Sequence, residues 1–291
     1  MISRRHFVQG ACAAGCGLAP VHAAGGLSET LAGHLAQIAA DSGGRLGVAV
    51  RDTQTGALAV HRADERFPLC STFKLLAAGA VLARVDAGRE RLDRRIRFEP
   101  RDVVVYSPVT KDRAGGDGMP LAEICAAAMT MSDNTAGNLL LAALGGPRRR
   151  YRLCARAGDE VTRLDRIEAD LNEAAPSIPR DTTSPAAMLA NLAALVLGDV
   201  LSAPSQELLT RWLVANKTGD SRLRAGLPGG WRVGDKTGSG ERGTANDVGI
   251  VWPPGRAPVL VAVYLTDTTK SADQRNAIHA AVGRAVAAAV R

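Results

Sequence analysis

Residues 231–266 read WRVGDKTGSGERGTANDVGIVWPPGRAPVLVAVYLT. Three runs, 231–237, 247–252 and 258–266, are rich in apolar and β-branched residues. Gly-, Ser- and Pro-containing turns separate them, which is the pattern of consecutive strands. The turn between the first two contains Gly238, Gly240 and Gly243 at Gly-x-Gly-x-x-Gly spacing. A dinucleotide site needs a helix after such a loop, but the next run is a strand, so this is a hairpin turn.

Upstream, residues 45–51 alternate as a strand. Asp52-Thr53-Gln54-Thr55-Gly56 is turn chemistry, and 57–62 reads as the partner strand. Residues 27–40 and 275–290 carry helical periods. From residue 72 to about 202 the pattern is helical, broken by Gly, Pro and Asp. Ser184-Pro185 marks one helix start, a cap followed by proline at the first helical position. Strands at both ends with helices between imply one sheet built from both termini. The expected class is α/β of the α+β type: an antiparallel sheet flanked by helices, with an all-helical subdomain inserted. The corresponding division is 24–70 with 214–291 for the α/β part and 71–213 for the helical part. A ligand cleft belongs where the two meet.

The chain has 291 residues, 46% of them hydrophobic, enough to bury a core, and only 3% aromatic, so Leu, Val and Ala must fill it. The formal charge of +7 includes Arg4 and Arg5, without which it is about +5. The other basic residues, such as Arg94, Arg95, Arg148, Arg149, Arg150, Arg222 and Arg224, are scattered. No basic stripe interleaved with aromatics occurs, which argues against nucleic acid and suits a solvated surface or an anionic small molecule. Arg4-Arg5 stand immediately before a short apolar run, 8–19, and small residues follow at Val21-His22-Ala23. The run is too short for a permanent anchor. Residues 1–23 therefore read as an export leader of the twin-arginine type, cleaved before Ala24, and the protein as exported and periplasmic. Of the five cysteines, Cys12 and Cys16 would leave with the leader. Cys70, Cys125 and Cys154 have no metal-type spacing, and Cys125 and Cys154 fall in helix-like apolar patterns as buried thiols.

Three short motifs carry chemistry. In Ser71-Thr72-Phe73-Lys74, residues three apart share a helix face, so the Lys74 amine can sit beside the Ser71 hydroxyl and activate it. At a helix start Ser71 also has a free backbone N–H and the positive end of the dipole, both favouring an oxyanion. In Ser132-Asp133-Asn134, the Ser132 hydroxyl can pass a proton to a leaving nitrogen and the Asn134 amide can meet a substrate carbonyl. In Lys236-Thr237-Gly238, an ammonium and a hydroxyl suit a substrate carboxylate, and the glycine permits close backbone approach. Strand period alone places Lys236 and Thr237 on opposite faces. Each motif also has a structural reading on its own.

Together and in this order, the three motifs resemble those of the penicillin-recognising serine enzymes. The resemblance to class A serine β-lactamases runs from about residue 27 to the C-terminus. It includes Val104-Val105-Tyr106-Ser107-Pro108-Val109, Met129-Thr130-Met131-Ser132-Asp133-Asn134-Thr135-Ala136 and Gly234-Asp235-Lys236-Thr237-Gly238. Residues 163–173, RLDRIEADLNE, resemble that family's omega loop, here 163–181. The resemblance implies that Glu168 and Asn172 hold the hydrolytic water and that Arg166 and Asp181 form the salt bridge closing the loop. It implies a serine acyl-enzyme that opens the β-lactam ring of penicillins and cephalosporins. Ser71, Lys74, Ser132 and Glu168 are then catalytic. Asn134, Asn172, Lys236, Thr237, Gly238, Ser239, Tyr106 and Arg222 bind substrate. The backbone N–H groups of Ser71 and Ser239 form the oxyanion hole. No cofactor or metal is implied, and the enzyme is expected to act as a monomer on a small molecule.

The sequence departs from the family pattern in places. Ala169 stands where proline often follows the loop glutamate, which leaves the Glu168–Ala169 bond open between cis and trans. Ala78 stands at the position from which some members bridge to the equivalent of Cys125, and Gly240 replaces the partner of Cys70, so neither disulfide is expected. Thr244-Ala245 replace a family arginine, and Arg222 resembles the alternative arginine that holds the carboxylate. The rival readings are a penicillin-binding DD-peptidase, which lacks such a loop, and a non-catalytic β-lactam sensor. His34, His61 and His279 lie in no triad context, and no His/Cys cluster suits zinc.

Overall fold

A computed structural model describes residues 23–146, 159–175 and 178–290. The leader reading and Cys154 lie outside them. The first helix, α1 (Ala23–Asp41), leads into β1 (Arg45–Asp52) and β2 (Leu58–His61). The C-terminal part supplies β7 (Arg232–Ser239), β8 (Ala245–Trp252) and β9 (Val259–Thr266), followed by helix α8 (Ala272–Ala289). The sheet order is β2-β1-β9-β8-β7, with every neighbouring pair antiparallel. The contact between β1 and β9 runs from Arg45↔Thr266 to Asp52↔Val259. The sheet is therefore closed by pairing the two ends of the chain, as the strand positions predicted.

Strand β9 is buried along its whole length because both faces of the sheet are covered. Its alternation divides the side chains between two cores. Val259, Val261, Val263 and Leu265 pack with Leu31 and Leu35 of α1 and with Ile278, Val282 and Val286 of α8. Leu260, Ala262 and Tyr264 face a larger core with Phe73, Leu75, Val81, Met129, Leu140 and Leu192.

The intervening helices are α2 (Phe73–Asp86), α3 (Leu121–Thr130), α4 (Asn134–Leu144), α5 (Pro185–Val196), α6 (Ala203–Val214) and the short α7 (Leu223–Gly226). Ser184 caps α5 by accepting the Ala187 N–H, with Pro185 first in the helix, as read from the sequence. The helical stretch is less uniform than its pattern suggested. Two-residue strands β3 (Phe67–Pro68), β4 (Arg95–Ile96), β5 (Met119–Pro120) and β6 (Thr182–Thr183) pair within and across its boundary. Such short pairings are set by distant chain segments and leave no local period. Among the described residues no helix is long and apolar enough to cross a membrane.

Candidate active site

Ser71 lies in a 3₁₀ turn, Cys70–Thr72, that runs directly into α2. The sequence reading began the α-helix at this point; the α-turns begin at Phe73 instead, because Cys70 takes φ +44°. That left-handed conformation is unfavourable for a non-glycine residue by about 1–3 kcal/mol. It is held from both sides: the Leu69 N–H donates to Asp181 O at 2.8 Å, and the Thr72 hydroxyl donates to Leu69 O at 2.7 Å. The turn thereby points Ser71 into the cleft.

Lys74, one helical turn on, is completely buried. Its Nζ lies 2.7 Å from Ser71 Oγ, 2.9 Å from Ser132 O, 2.7 Å from Asn134 Oδ1 and 2.8 Å from Glu168 Oε1. An ammonium has three hydrogens, and here four oxygens compete for them. Burial pushes the Lys74 ammonium below its ordinary value, opposed by the nearby Glu168 carboxylate. Ser71 Oγ also donates to Glu168 Oε1 at 3.1 Å. The serine hydroxyl thus touches two groups that can receive its proton.

Ser132, at φ +56°, sits between α3 and α4. Asp133 anchors the corner. Its fully buried carboxylate accepts the N–H groups of Ala136, Val109 and Thr110 and the Thr110 hydroxyl, at 2.8–2.9 Å. Asn134 donates to Val105 O at 3.0 Å, which ties the 103–107 loop to the site. Tyr106, 56% exposed at φ +60°, is on the rim. Lys236 rises from β7 and donates from Nζ to Ser132 Oγ at 2.9 Å and to Thr237 O at 2.8 Å. The Thr237 contact is to the main-chain carbonyl, so it needs no shared side-chain face. Burial, then the charge of Lys74, holds Lys236 well below its ordinary value.

Glu168 is 2% exposed. Its loop is closed at the neck by Arg166, whose Nε lies 2.6 Å from Asp181 Oδ2, and by the Asp165 and Arg166 N–H groups donating to Asp181 Oδ1. The Glu168–Ala169 bond is cis, which resolves the alternative left open by the missing proline. Asn172 Nδ2 donates to Glu168 Oε2 at 2.5 Å. Asn138, one turn after Asn134 on α4, grips the Glu168 main chain: its Nδ2 donates to Glu168 O at 2.9 Å, and its Oδ1 accepts the Glu168 N–H at 2.8 Å.

A family model described as the β-lactamase enzyme family matches residues 30–290. The chain belongs to that family. It is 48% identical to β-lactamase AST-1 of Nocardia asteroides, over 95% of this chain and 89% of that one. It is 45% identical to β-lactamase CTX-M-8 of Citrobacter amalonaticus, over 87% and 86%. Among solved structures, an ancestral class A β-lactamase matches with TM-score 0.86 and 62% identity, over 88% of this chain and 98% of that one. A putative class A β-lactamase, PenP from Rhodopseudomonas palustris, matches with TM-score 0.87 and 58% identity, over 89% and 99%. The protein is a class A serine β-lactamase, a hydrolase of the β-lactam amide bond.

Two glycines singled out in the sequence lie against the nucleophile turn and the loop of this β-lactamase. A Cβ on Gly238 would come within 3.1 Å of Leu69 O, and one on Gly240 within 2.7 Å of Cys70 Sγ and 2.8 Å of Asn172 O. The two glycines let β7 close against the nucleophile turn and the loop. Cys70 and Cys125 are both buried free thiols, and burial raises both. Arg222 ties the end of β7 to β8. Its Nη1 donates to Gly238 O and Asn246 O at 2.8 and 2.6 Å, and its Nη2 to Ser239 Oγ at 2.7 Å. Sequence reading missed the roles of Asn138 and Asp133. The signal for Asn138 was its i+4 spacing from Asn134, which puts both amides on one helix face.

Proposed function

We propose that Ser71 is the nucleophile of this β-lactamase, with Lys74, Ser132 and Glu168 as its proton-handling partners, and that penicillins and cephalosporins are its substrates. The observation that carries this reading is the Ser71 hydroxyl lying 2.7 Å from Lys74 Nζ and 3.1 Å from Glu168 Oε1 in a buried site. Ser71 attacks the lactam carbonyl while Lys74 or Glu168 receives its proton. The N–H groups of Ser71 and Ser239 hold the oxyanion, and one such donor is typically worth ~10²–10³ in rate. Ser132, held by Lys236, relays a proton to the ring nitrogen as the C–N bond breaks, and the proton taken from Ser71 passes on to restore the Ser132 hydroxyl. Glu168, oriented by Asn172 and Asn138, then takes a proton from water as that water attacks the ester, which releases the ring-opened acid and restores Ser71. Asn134 meets the substrate's side-chain carbonyl. Lys236, Thr237 and Ser239 meet its carboxylate, with Arg222 adding positive charge from beside Ser239. Gly238 admits the substrate edge to β7, and Tyr106 borders the opening.

The test is Glu168→Ala. Loss of a general base costs ~10²–10⁴ in rate, so a penicillin should leave a lasting covalent adduct, visible as added intact-protein mass and located on Ser71. Normal turnover by this variant removes Glu168 from the role. In this reading the site lies between an α/β part, 24–70 with 214–291, and a helical part, 71–213, whose loop 163–181 supplies Glu168. Export to the periplasm through the Arg4-Arg5 leader, and action as a monomer, complete the proposal. Cell fractionation with N-terminal sequencing, and sedimentation of the purified enzyme, test these two points.

A further inference from the structure

Behind Thr237 runs a hydrogen-bonded chain that the reaction as described does not use. Asp235, fully buried, receives Arg224 Nε at 2.6 Å and Nη2 at 3.2 Å. Asn216, also buried, donates from Nδ2 to Asp235 Oδ1. A carboxylate only accepts, so this contact fixes the amide and turns Asn216 Oδ1 the other way. There it accepts the Thr218 N–H at 3.1 Å and the Thr218 hydroxyl at 2.9 Å. Thr218 Oγ1 in turn lies 2.5 Å from Thr237 Oγ1.

Each hydroxyl has one hydrogen to give. Thr218 gives its hydrogen to Asn216, so it offers Thr237 only a lone pair, and the Thr237 hydrogen points at Thr218. An anion arriving at Thr237 needs that same hydrogen. We propose that Thr218 is a positioning residue that lets Thr237 reverse its hydrogen bond when a substrate carboxylate binds. Thr237 turns its hydrogen to the carboxylate, and Thr218 turns its own from Asn216 Oδ1 to Thr237 Oγ1. Asn216 Oδ1 keeps the Thr218 N–H, so no buried polar atom is left bare at either end of the switch. The donation from Thr218 also polarises the Thr237 hydroxyl towards the anion. Lys217, next in the chain, is anchored by its N–H to Thr130 O at 2.9 Å, which keeps the segment in register with the Ser132 corner. The inference rests on the reading of Thr237 as a carboxylate contact.

The experiment compares a penicillin with its carboxylate methyl ester on the wild type, Thr218→Val, Thr218→Ser and Thr237→Val. Thr218→Val removes one donor at nearly constant volume. For the free acid it should raise KM about fivefold, the worth of one net hydrogen bond, with kcat little changed. For the ester it should match the wild type, and Thr218→Ser should restore the wild-type KM for the acid. Equal changes for acid and ester, no change for the acid, or a lowered KM overturn the relay. If Thr237→Val shows the acid-selective loss and Thr218→Val does not, the relay alone fails. If Thr237→Val leaves the acid's KM untouched, the assignment of Thr237 itself fails.

Discussion

Replacing Asn138 by alanine should uncouple the two halves of the catalytic cycle. Asn138 makes two hydrogen bonds of 2.8–2.9 Å to the main chain of Glu168, one to each polar atom of the residue. Each is worth about 1 kcal/mol net, and a buried peptide group left without a partner costs about 1–3 kcal/mol. The expected loss of stability is therefore about 2–4 kcal/mol. At roughly 2–4 °C per kcal/mol for a chain of this size, the midpoint should fall by about 5–15 °C. The catalytic loss should be larger in proportion than this. Glu168 Oε1 must stay near Ser71, and a displacement of about 1 Å in a catalytic group can cost about 10²-fold. Attack by Ser71 retains Lys74, whereas the reading above leaves hydrolysis of the ester to Glu168. Stopped-flow hydrolysis of a chromogenic cephalosporin should show a burst near one equivalent per enzyme, then a steady rate about 10²-fold below wild type. Intact mass should show the acyl-enzyme during the slow phase. Asn138→Asp, which can accept but not donate, should behave no better. A folded Asn138→Ala enzyme without a burst and with kcat within threefold of wild type would refute the reasoning.

Other consequences are as direct. His279 is fully buried on α8, its Nδ1–H donating to Arg275 O at 2.9 Å, and burial, with the charge of Arg222, holds it down to about 3 against an ordinary 6.5. Between those values the unfolded chain binds a proton that the folded one does not. Stability is thus full above pH 6.5 and falls as pH drops towards 3, by about 2 kcal/mol at pH 5 from this residue. Denaturant titrations of His279→Leu should lack that part of the slope, and an unchanged pH profile would count against it. Gly137→Ala places a Cβ 2.7 Å from Lys74 Cε and 3.1 Å from Phe73 Cζ. With Nζ of Lys74 held by four oxygens, kcat/KM should fall at least about tenfold for a stability loss of about 1–3 kcal/mol. Wild-type kcat/KM would show that the site has slack the structure lacks. Arg166→Ala leaves the buried Asp181 carboxylate without its charge partner, at the low end of about 3–5 kcal/mol because Arg166 is partly exposed. Calorimetry should show the lowered midpoint, and amide exchange should show residues 163–173 losing protection first. Uniform protection across the chain would contradict the loop-neck role.

The fold was legible wherever a side-chain period had a face to match. The strand run at 258–266, the hairpin turn at 52–56, the Ser184-Pro185 cap and the turn at Gly238–Gly243 are local signals; each has its element in the structure, the last with β7 continuing to Ser239 and the turn at 240–244. Lys74 beside Ser71 follows from helix geometry over three residues. The paired two-residue strands were not legible, since two residues carry no period. Neither was the φ of Cys70, whose neighbour Leu69 is bonded to Asp181, more than a hundred residues later.

By itself, the sequence determined which groups are available and in what order: a hydroxyl and an amine three residues apart, a second serine with an asparagine, a loop glutamate, and a lysine at a strand end. Local periodicity and motif spacing suffice for that, because helix and strand geometry act over a few residues. Only the tertiary structure decided that Lys74 has four oxygens around three hydrogens, that Asn138 grips the Glu168 backbone, and that Arg222 holds the Ser239 hydroxyl. It also decided that Thr218 stands behind Thr237. Contacts of this kind across the site join residues from 17 to 104 positions apart. Their distances and hydrogen directions exist only once the sheet has been closed by the two chain ends and the helices have packed onto its face.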